Sequence, residues 1–327
     1  MAVVLVTGGA GYIGSHACKK LKADGHIPVT FDNFSTGWRD AVKFGPFVEG
    51  DLLDPESLKI AFDLHQPDTV MHFAALSQVG ESMTNPAIYW RKNVAGNNNL
   101  LDTAANAGCS NFIFSSTCAT YGEQDNVVLN ESSAQKPINA YGKSKRAIEE
   151  MLVDYEAAHG MKHVIFRYFN VAGADPDSEI GECHNPETHL VPVILEALLG
   201  KRDRISIHGT DYNTEDGTCI RDYVHVCDLV DAHIAGLTWL LEGKESRAFN
   251  LGTGHGFPVR QLIEACGAVT NRAVPFSEGP RRAGDCTKLV SGSERAKKEL
   301  NWLPNRSNLP QMIRDAWRWH NTAAYSK

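Results

Sequence analysis

The chain contains no C-x-x-C pair. Its eight cysteines, at positions 18, 109, 118, 183, 219, 227, 266 and 286, are scattered, and none is grouped with histidines at ligand intervals, so neither a zinc module nor a disulfide scaffold organises the fold. They read as reduced, packed thiols of a cytoplasmic protein, with no metal expected. No block of lysine or arginine could track a phosphate backbone, and 32 basic against 39 acidic residues leave a net charge of -7, which argues against nucleic acid as a partner. No apolar run approaches a membrane span, and Met1 to Val6 lack a basic flank and are too short for a secretion signal. A soluble, unexported protein without a membrane partner is expected. Internal repeats and low-complexity tracts are also missing.

What is present is an alternation of strands and helices. The β-branched run from Ala2 to Val6 stops at glycines, and Tyr12 to Asp24 is helix-compatible up to Gly25. Ile27 to Asp32, Phe47–Val48 and Thr69 to Phe73 read as further strands, with a helix from Pro55 to His65 opened by Asp54. One helix is expected from Pro86 to Ala107, a strand at Phe112 to Ser115, a helix from Tyr141 to His159 and a strand from His163 to Arg167. This is the pattern of an α/β protein with a doubly wound, Rossmann-type parallel sheet. After Asn170 the pattern loosens, while Val224 to Leu241 and Ala248 to Leu251 look like a helix and strand rejoining the sheet. The expected division is residues 1–170 plus about 218–255 as the dinucleotide-binding part, with 171–217 and 256–327 as a smaller, discontinuous C-terminal substrate domain.

Gly9, Gly11 and Gly14 satisfy G-x-G-x-x-G, and Gly8, Gly11 and Gly14 satisfy G-x-x-G-x-x-G. Between a strand and a helix, such glycines let backbone amides approach a pyrophosphate and aim a helix N-terminus at its charge. A ligand-free turn would use the same residues, but its position favours the cradle. Asp32 ends the second strand, where an acid accepts hydrogen bonds from a ribose and repels a 2'-phosphate, so NAD is favoured over NADP. Gly50 and Asp51 follow the third strand, within reach of an adenine, and Phe73, Ala74 and Ala75 end the fourth with small residues suited to a cofactor edge.

Tyr141 and Lys145 share one helix face, so the ammonium can favour the phenolate and make tyrosine a usable base. A surface pair has the same spacing. Position distinguishes the two, because this pair opens the helix after strand five, preceded by Asn139. Ser115, Ser116 and Thr117 end that strand on the ligand-binding edge, where a hydroxyl can bond the oxygen that Tyr141 deprotonates. Lys145 is also expected on the nicotinamide ribose. The combination predicts hydride chemistry at an alcohol carbon.

Thr7 to Gly14, Ser115 to Gly122, Tyr141 to Lys145 and Arg167 to Asn170 resemble the extended short-chain dehydrogenase/reductases. Thr214 to Leu229, with Arg221-Asp-Tyr-Val-His-Val, and Gly279 to Asp285 are similar to the narrower UDP-glucose 4-epimerase family, in order along nearly the whole chain. The resemblance implies Tyr141 as base, Lys145 as its electrostatic partner and Thr117 as hydroxyl relay. It implies Tyr12, Ile13, Asn33, Leu52, Asn93 and Tyr168 beside tightly bound, unconsumed NAD. On the substrate side it implies Asn170 near the sugar diphosphate, Arg221 and Arg282 on it, and Asp285 on the uridine ribose. His189, Leu190, Ile207, His208 and Leu289 complete the implied substrate contacts. Guanidinium forks match phosphate oxygens, although ion pairing with Asp222 and Asp285 would occupy the same arginines. His189 stands where asparagine is common, His208 where phenylalanine is, and Cys118 where alanine is usual; Leu289 lines the implied sugar pocket.

The implied activity is interconversion of UDP-glucose and UDP-galactose through a 4-keto sugar, in a cytoplasmic homodimer. Other UDP-sugars, N-acetylated or pentose, stay open, as does a nucleotide-sugar reductase or dehydrogenase using the same three residues. A 4,6-dehydratase needs acids after the strand-five hydroxyl, where Cys118 and Ala119 stand. A non-catalytic NAD-sensing protein would need neither Tyr141 nor Lys145.

Overall fold

The computed structural model describes residues 1–124, 128–282, 284–322 and 325, leaving Ala283 of the Gly279 to Asp285 stretch outside. The first half alternates β1 (Val3–Thr7), α1 (Tyr12–Ala23), β2 (Ile27–Asp32), β3 (Phe47–Glu49), α2 (Pro55–His65) and β4 (Thr69–His72). Asp54 caps α2 by accepting from the Glu56 amide, with Pro55 in the first turn. Then come α3 (Val79–Thr84), α4 (Pro86–Tyr89), α5 (Gly96–Asn106), β5 (Asn111–Ser115), α6 (Ala140–His159) and β6 (Lys162–Tyr168).

The expected single helix over 86–107 is divided. A π-helical turn at Trp90–Ala95 joins α4 to α5. The extra residue of that turn accompanies an inward Asn93, 1% exposed, whose amide bonds the Leu76 main chain and the Ser144 hydroxyl.

Seven parallel strands form the main sheet in the order β10-β6-β5-β4-β1-β2-β3, with β10 spanning Arg247–Leu251. Strand alternation divides the core between its faces. Val4 and Val6 pack with Ala17 and Leu21 of α1 and with Leu229 and Leu237 of α8 (Val226–Leu241). Leu5 faces the other way, with Phe62 of α2, Leu101 of α5 and Ile148 of α6. Each such buried aliphatic contributes roughly 1.5–3 kcal/mol. The connection order reverses between β1 and β4, which opens a crevice at their carboxyl ends.

The second half builds around β7 (Asn170–Ala172), α7 (Leu190–Leu198), β8 (Ile205–His208) and β9 (Ile220–His225). It is completed by β11 (Gly256–Pro258), α9 (Val259–Thr270), β12 (Phe276–Gly279), β13 (Lys288–Leu289), α10 (Glu294–Leu300) and α11 (Leu309–Asn321). β9 pairs with β7, β11 and β13, and β8 pairs with β12, while α8 packs on α1 and β10 joins the main sheet. A separate apolar core, including Ile194, Leu262 and Ile313, joins α7, α9 and α11.

Two buried histidines make the fold acid-sensitive. The Nδ1 of His16 lies 2.7 Å from the Tyr12 carbonyl and that of His233 2.9 Å from the Leu229 carbonyl, so each Nδ1 must donate. Neither Nε2 has a partner among the described residues, and burial pushes both imidazoles down to about 4. The unfolded chain, with histidines near 6.5, binds more protons below that pH. Their contribution is therefore intact above pH 6.5 and is lost as pH falls toward 4, on the order of 2 kcal/mol each by pH 5. The urea midpoint should drop between pH 7.5 and pH 5; an unchanged midpoint would contradict this reading.

Candidate active site

A cleft of about 830 Å³ runs along the carboxyl edge of the main sheet and between the two halves. One wall is the turn after β1. Gly8 adopts φ +71°, and a Cβ there would sit 2.7 Å from the Ala74 amide nitrogen. A Cβ on Gly14 would come within 2.1 Å of the Gly8 carbonyl oxygen. Bare backbone is thus required on both sides of the turn, which presents the N-terminus of α1 to the cleft, and this fits a dinucleotide pyrophosphate.

Asp32 ends β2, accepting from the Ala10 amide at 3.0 Å and the Phe34 amide at 2.8 Å; burial raises its pKa against those bonds. Asn33 donates to Asp51 at 2.8 Å, and Leu52, Phe73, Ala74 and Ala75 line the same end with Ile13. Tyr12 donates to the Gly173 carbonyl at 2.7 Å, and Tyr168 is bonded to Ser115.

Asn139 caps α6 by accepting from the Gly142 amide at 2.8 Å, which sets Tyr141 and Lys145 on the first turns of that helix, facing the end of β5. Burial pushes the Tyr141 phenol up to about 12, partly offset by a hydrogen bond with Thr117. Lys145 is 3% exposed, donates to the Ser115 carbonyl at 2.8 Å and lies 4.8 Å from the Phe114 ring centroid. Burial brings it down to about 7, with the Glu149 charge opposing.

Beneath this pair lies an ionic network that sequence reading did not single out. Glu149, one turn beyond Lys145, accepts from Ser116, from Gln135 at 2.8 Å and from Arg167 of β6 at 2.6 Å. Arg167 also donates to Tyr121, which donates to Asn250 at 2.6 Å. Only the i,i+4 spacing from Lys145 hinted at Glu149. Glu149→Leu should destabilise the protein by about 3–5 kcal/mol, because it leaves the Arg167 guanidinium buried and unpaired. Denaturant unfolding checks this, and a loss under 1 kcal/mol would contradict it.

At the far end, Asp285 lies between two arginines, 3.8 Å from Arg221 and 3.2 Å from Arg282. Asp222 instead turns inward, accepting from the Thr253, Gly254 and Ser291 amides. Asn170, Leu190, His208 and Leu289 line the cleft, with burial lowering the His208 pKa. The Ile207 side chain is buried in the apolar core of the second half, between Ser206 and His208, which line the cleft. Burial alone would lower His189, but Glu182 and Glu187 raise it to about 9. Glu182, His184 and Glu187 are cleft residues that sequence reading also missed.

The family model described as NAD dependent epimerase/dehydratase matches residues 4–252. The chain is 48% identical, over 97% of both proteins, to a UDP-glucose 4-epimerase of Rhizobium leguminosarum bv. trifolii. It is similar to the crystal structure of UDP-glucose 4-epimerase from Brucella ovis in complex with NAD, with a TM-score of 0.94, 46% identity and coverage of 97% of this chain and 98% of that one. It is likewise similar to the epimerase from Bifidobacterium longum in complex with NAD+ and UDP, with a TM-score of 0.93, 30% identity and 98% coverage of each.

Proposed function

The chain belongs to the NAD dependent epimerase/dehydratase family, and from that membership we propose that it interconverts UDP-glucose and UDP-galactose by reversible oxidation at C4. The observation that carries this reading is that Tyr141, Thr117 and Lys145 share one cleft with the glycine cradle and the arginine pair. NAD, when bound, supplies the acceptor and donor of the C4 hydride and a positive ring that favours the Tyr141 phenolate. Tyr141 takes the 4-hydroxyl proton, with Thr117 holding the hydroxyl, and returns it when the product alcohol forms. Lys145 adds positive charge at the same place. Arg221 and Arg282 exchange Asp285 for the substrate diphosphate, and Asp285 turns to the uridine ribose.

Anchoring the nucleotide leaves the hexose free to present either face, which inversion at C4 requires. We assign the glycine-rich half to NAD and the second half to the UDP moiety, in a cytoplasmic homodimer. Incubation with individual UDP-sugars, without added cofactor, tests the reading by NMR. UDP-glucose and UDP-galactose should reach one equilibrium ratio from either side. No interconversion would defeat the assignment, and stoichiometric NADH would indicate a net dehydrogenase.

A further inference from the structure

We propose that Glu182, His184, Glu187 and His189 form a binding site for a first-row divalent cation, Zn²⁺ foremost. The four residues follow the pattern E-x-H-x-x-E-x-H in the connection from β7 to α7, and one ligand atom from each lies within 4.8 Å of all the others. The Nδ1 of His184 is 3.5 Å from Glu182 and 3.4 Å from Glu187, and the Nδ1 of His189 is 3.8 Å from Glu187. Donors about 2.0–2.1 Å from a tetrahedral Zn²⁺ are separated by roughly 3.4 Å, so three of the six donor–donor separations are near that value, those to Glu187 running to its two different oxygens. A further one, His189 to Glu182 at 2.6 Å, is a hydrogen bond that has to open by less than about 1 Å.

Burial supplies the driving force. Glu182 is 3% exposed and Glu187 6%, and two carboxylates withdrawn from water need compensating positive charge. Either two protons on the imidazoles or one dication can provide it. The shielded Nδ1 of His184 faces oxygens of both carboxylates at 3.4 and 3.5 Å, too far for a well-formed hydrogen bond, which leaves room between them for an ion. Glu187 is already oriented, accepting from the amides of His184, Thr188 and His189 at 3.3, 2.8 and 3.0 Å, the kind of outer support that metal-ligating carboxylates receive. Mixed imidazole and carboxylate donors select Zn²⁺ and its neighbours over Mg²⁺ and Ca²⁺, which prefer all-oxygen sites. The side chain of His189 is 48% exposed and gives the ion a path in from the cleft. A bound cation would pin the start of α7, whose first residue, Leu190, lines that cleft.

The test uses the intact protein with its cofactor retained, dialysed against EDTA and titrated with Co²⁺ and then Zn²⁺ at pH 7.5. A visible Co²⁺ spectrum of tetrahedral type should saturate at one equivalent and vanish on adding one equivalent of Zn²⁺, with a rise in the thermal midpoint. His184→Ala and Glu187→Gln should each bind at least about tenfold more weakly. The absence of a saturable Co²⁺ spectrum together with no Zn²⁺ binding by calorimetry would overturn the proposal, leaving two imidazolium–carboxylate pairs in its place. Folded His184→Ala protein binding Zn²⁺ as tightly as the parent would overturn it equally. Should a variant fail to fold, the wild-type titration decides alone.

Discussion

Tyr141→Phe should lower kcat for epimerisation by about a hundred- to ten-thousandfold while leaving KM within a few-fold. The phenol oxygen is the one atom removed, and Tyr141 lines the cleft together with Thr117. Phenylalanine preserves the ring and its edge-on contact with Tyr89, whose centroid is 6.5 Å away, so the first turns of α6 should keep their packing. Arg221 and Arg282, which flank Asp285, lie on β9 and in the connection to β13, outside the change. Loss should therefore fall on the chemical step. The chain's own groups hold this phenol at about 12, so the parent enzyme's kcat should also rise with pH until the phenolate is populated, at a lower pH in the loaded enzyme than in the chain alone. A Tyr141→Phe enzyme retaining more than about a tenth of the parent kcat would show that another group takes the proton.

Gly14→Ala should yield a folded protein that purifies without NAD. The added methyl would lie 2.1 Å from the Gly8 carbonyl oxygen and 2.8 Å from the Gly9 Cα, distances that real Cβ atoms do not adopt. Both neighbours are backbone, so no rotamer change relieves the clash. The turn cannot simply slide away, because the Ala74 main chain abuts Gly8 on its other side. Overpacking of this kind costs about 1–3 kcal/mol, and opening the turn misdirects the amides that face the pyrophosphate. Affinity for NAD should fall by at least about tenfold, near 1.4 kcal/mol. Gly11→Ala is the internal control, since its Cβ would be 3.2 Å from the same oxygen and a small shift accommodates it. Nucleotide released by heat denaturation measures the result. Stoichiometric NAD in purified Gly14→Ala would refute the argument.

Much of this architecture was legible locally. Val3–Thr7 and Asn111–Ser115 are short apolar runs bounded by glycine or polar residues, and strands buried on both faces require such runs. The glycine spacing, Asp32 at the end of β2 and the Tyr141/Lys145 interval report chemistry directly, since each depends on few residues close together in the chain. Where sequence reading missed, the missing information was a partner distant in sequence or an orientation. Periodicity gave no sign of the π turn at Trp90–Ala95, because one extra residue in a helix leaves its apolar pattern almost unchanged.

Read alone, the 327 residues determined the α/β class and the family and pointed to the glycine turn and to Tyr141, Lys145 and Thr117, because hydrophobic period, glycine placement and short motifs are properties of neighbours along the chain. Only the tertiary structure decided that Glu149 pairs with Arg167 beneath Lys145, that β9 pairs with β7, β11 and β13, that Asp285 stands between two arginines, and that Glu182, His184, Glu187 and His189 converge. Those are encounters between elements, and which charge meets which depends on how the buried faces of sheet and helices pack, a quantity no local window of residues carries.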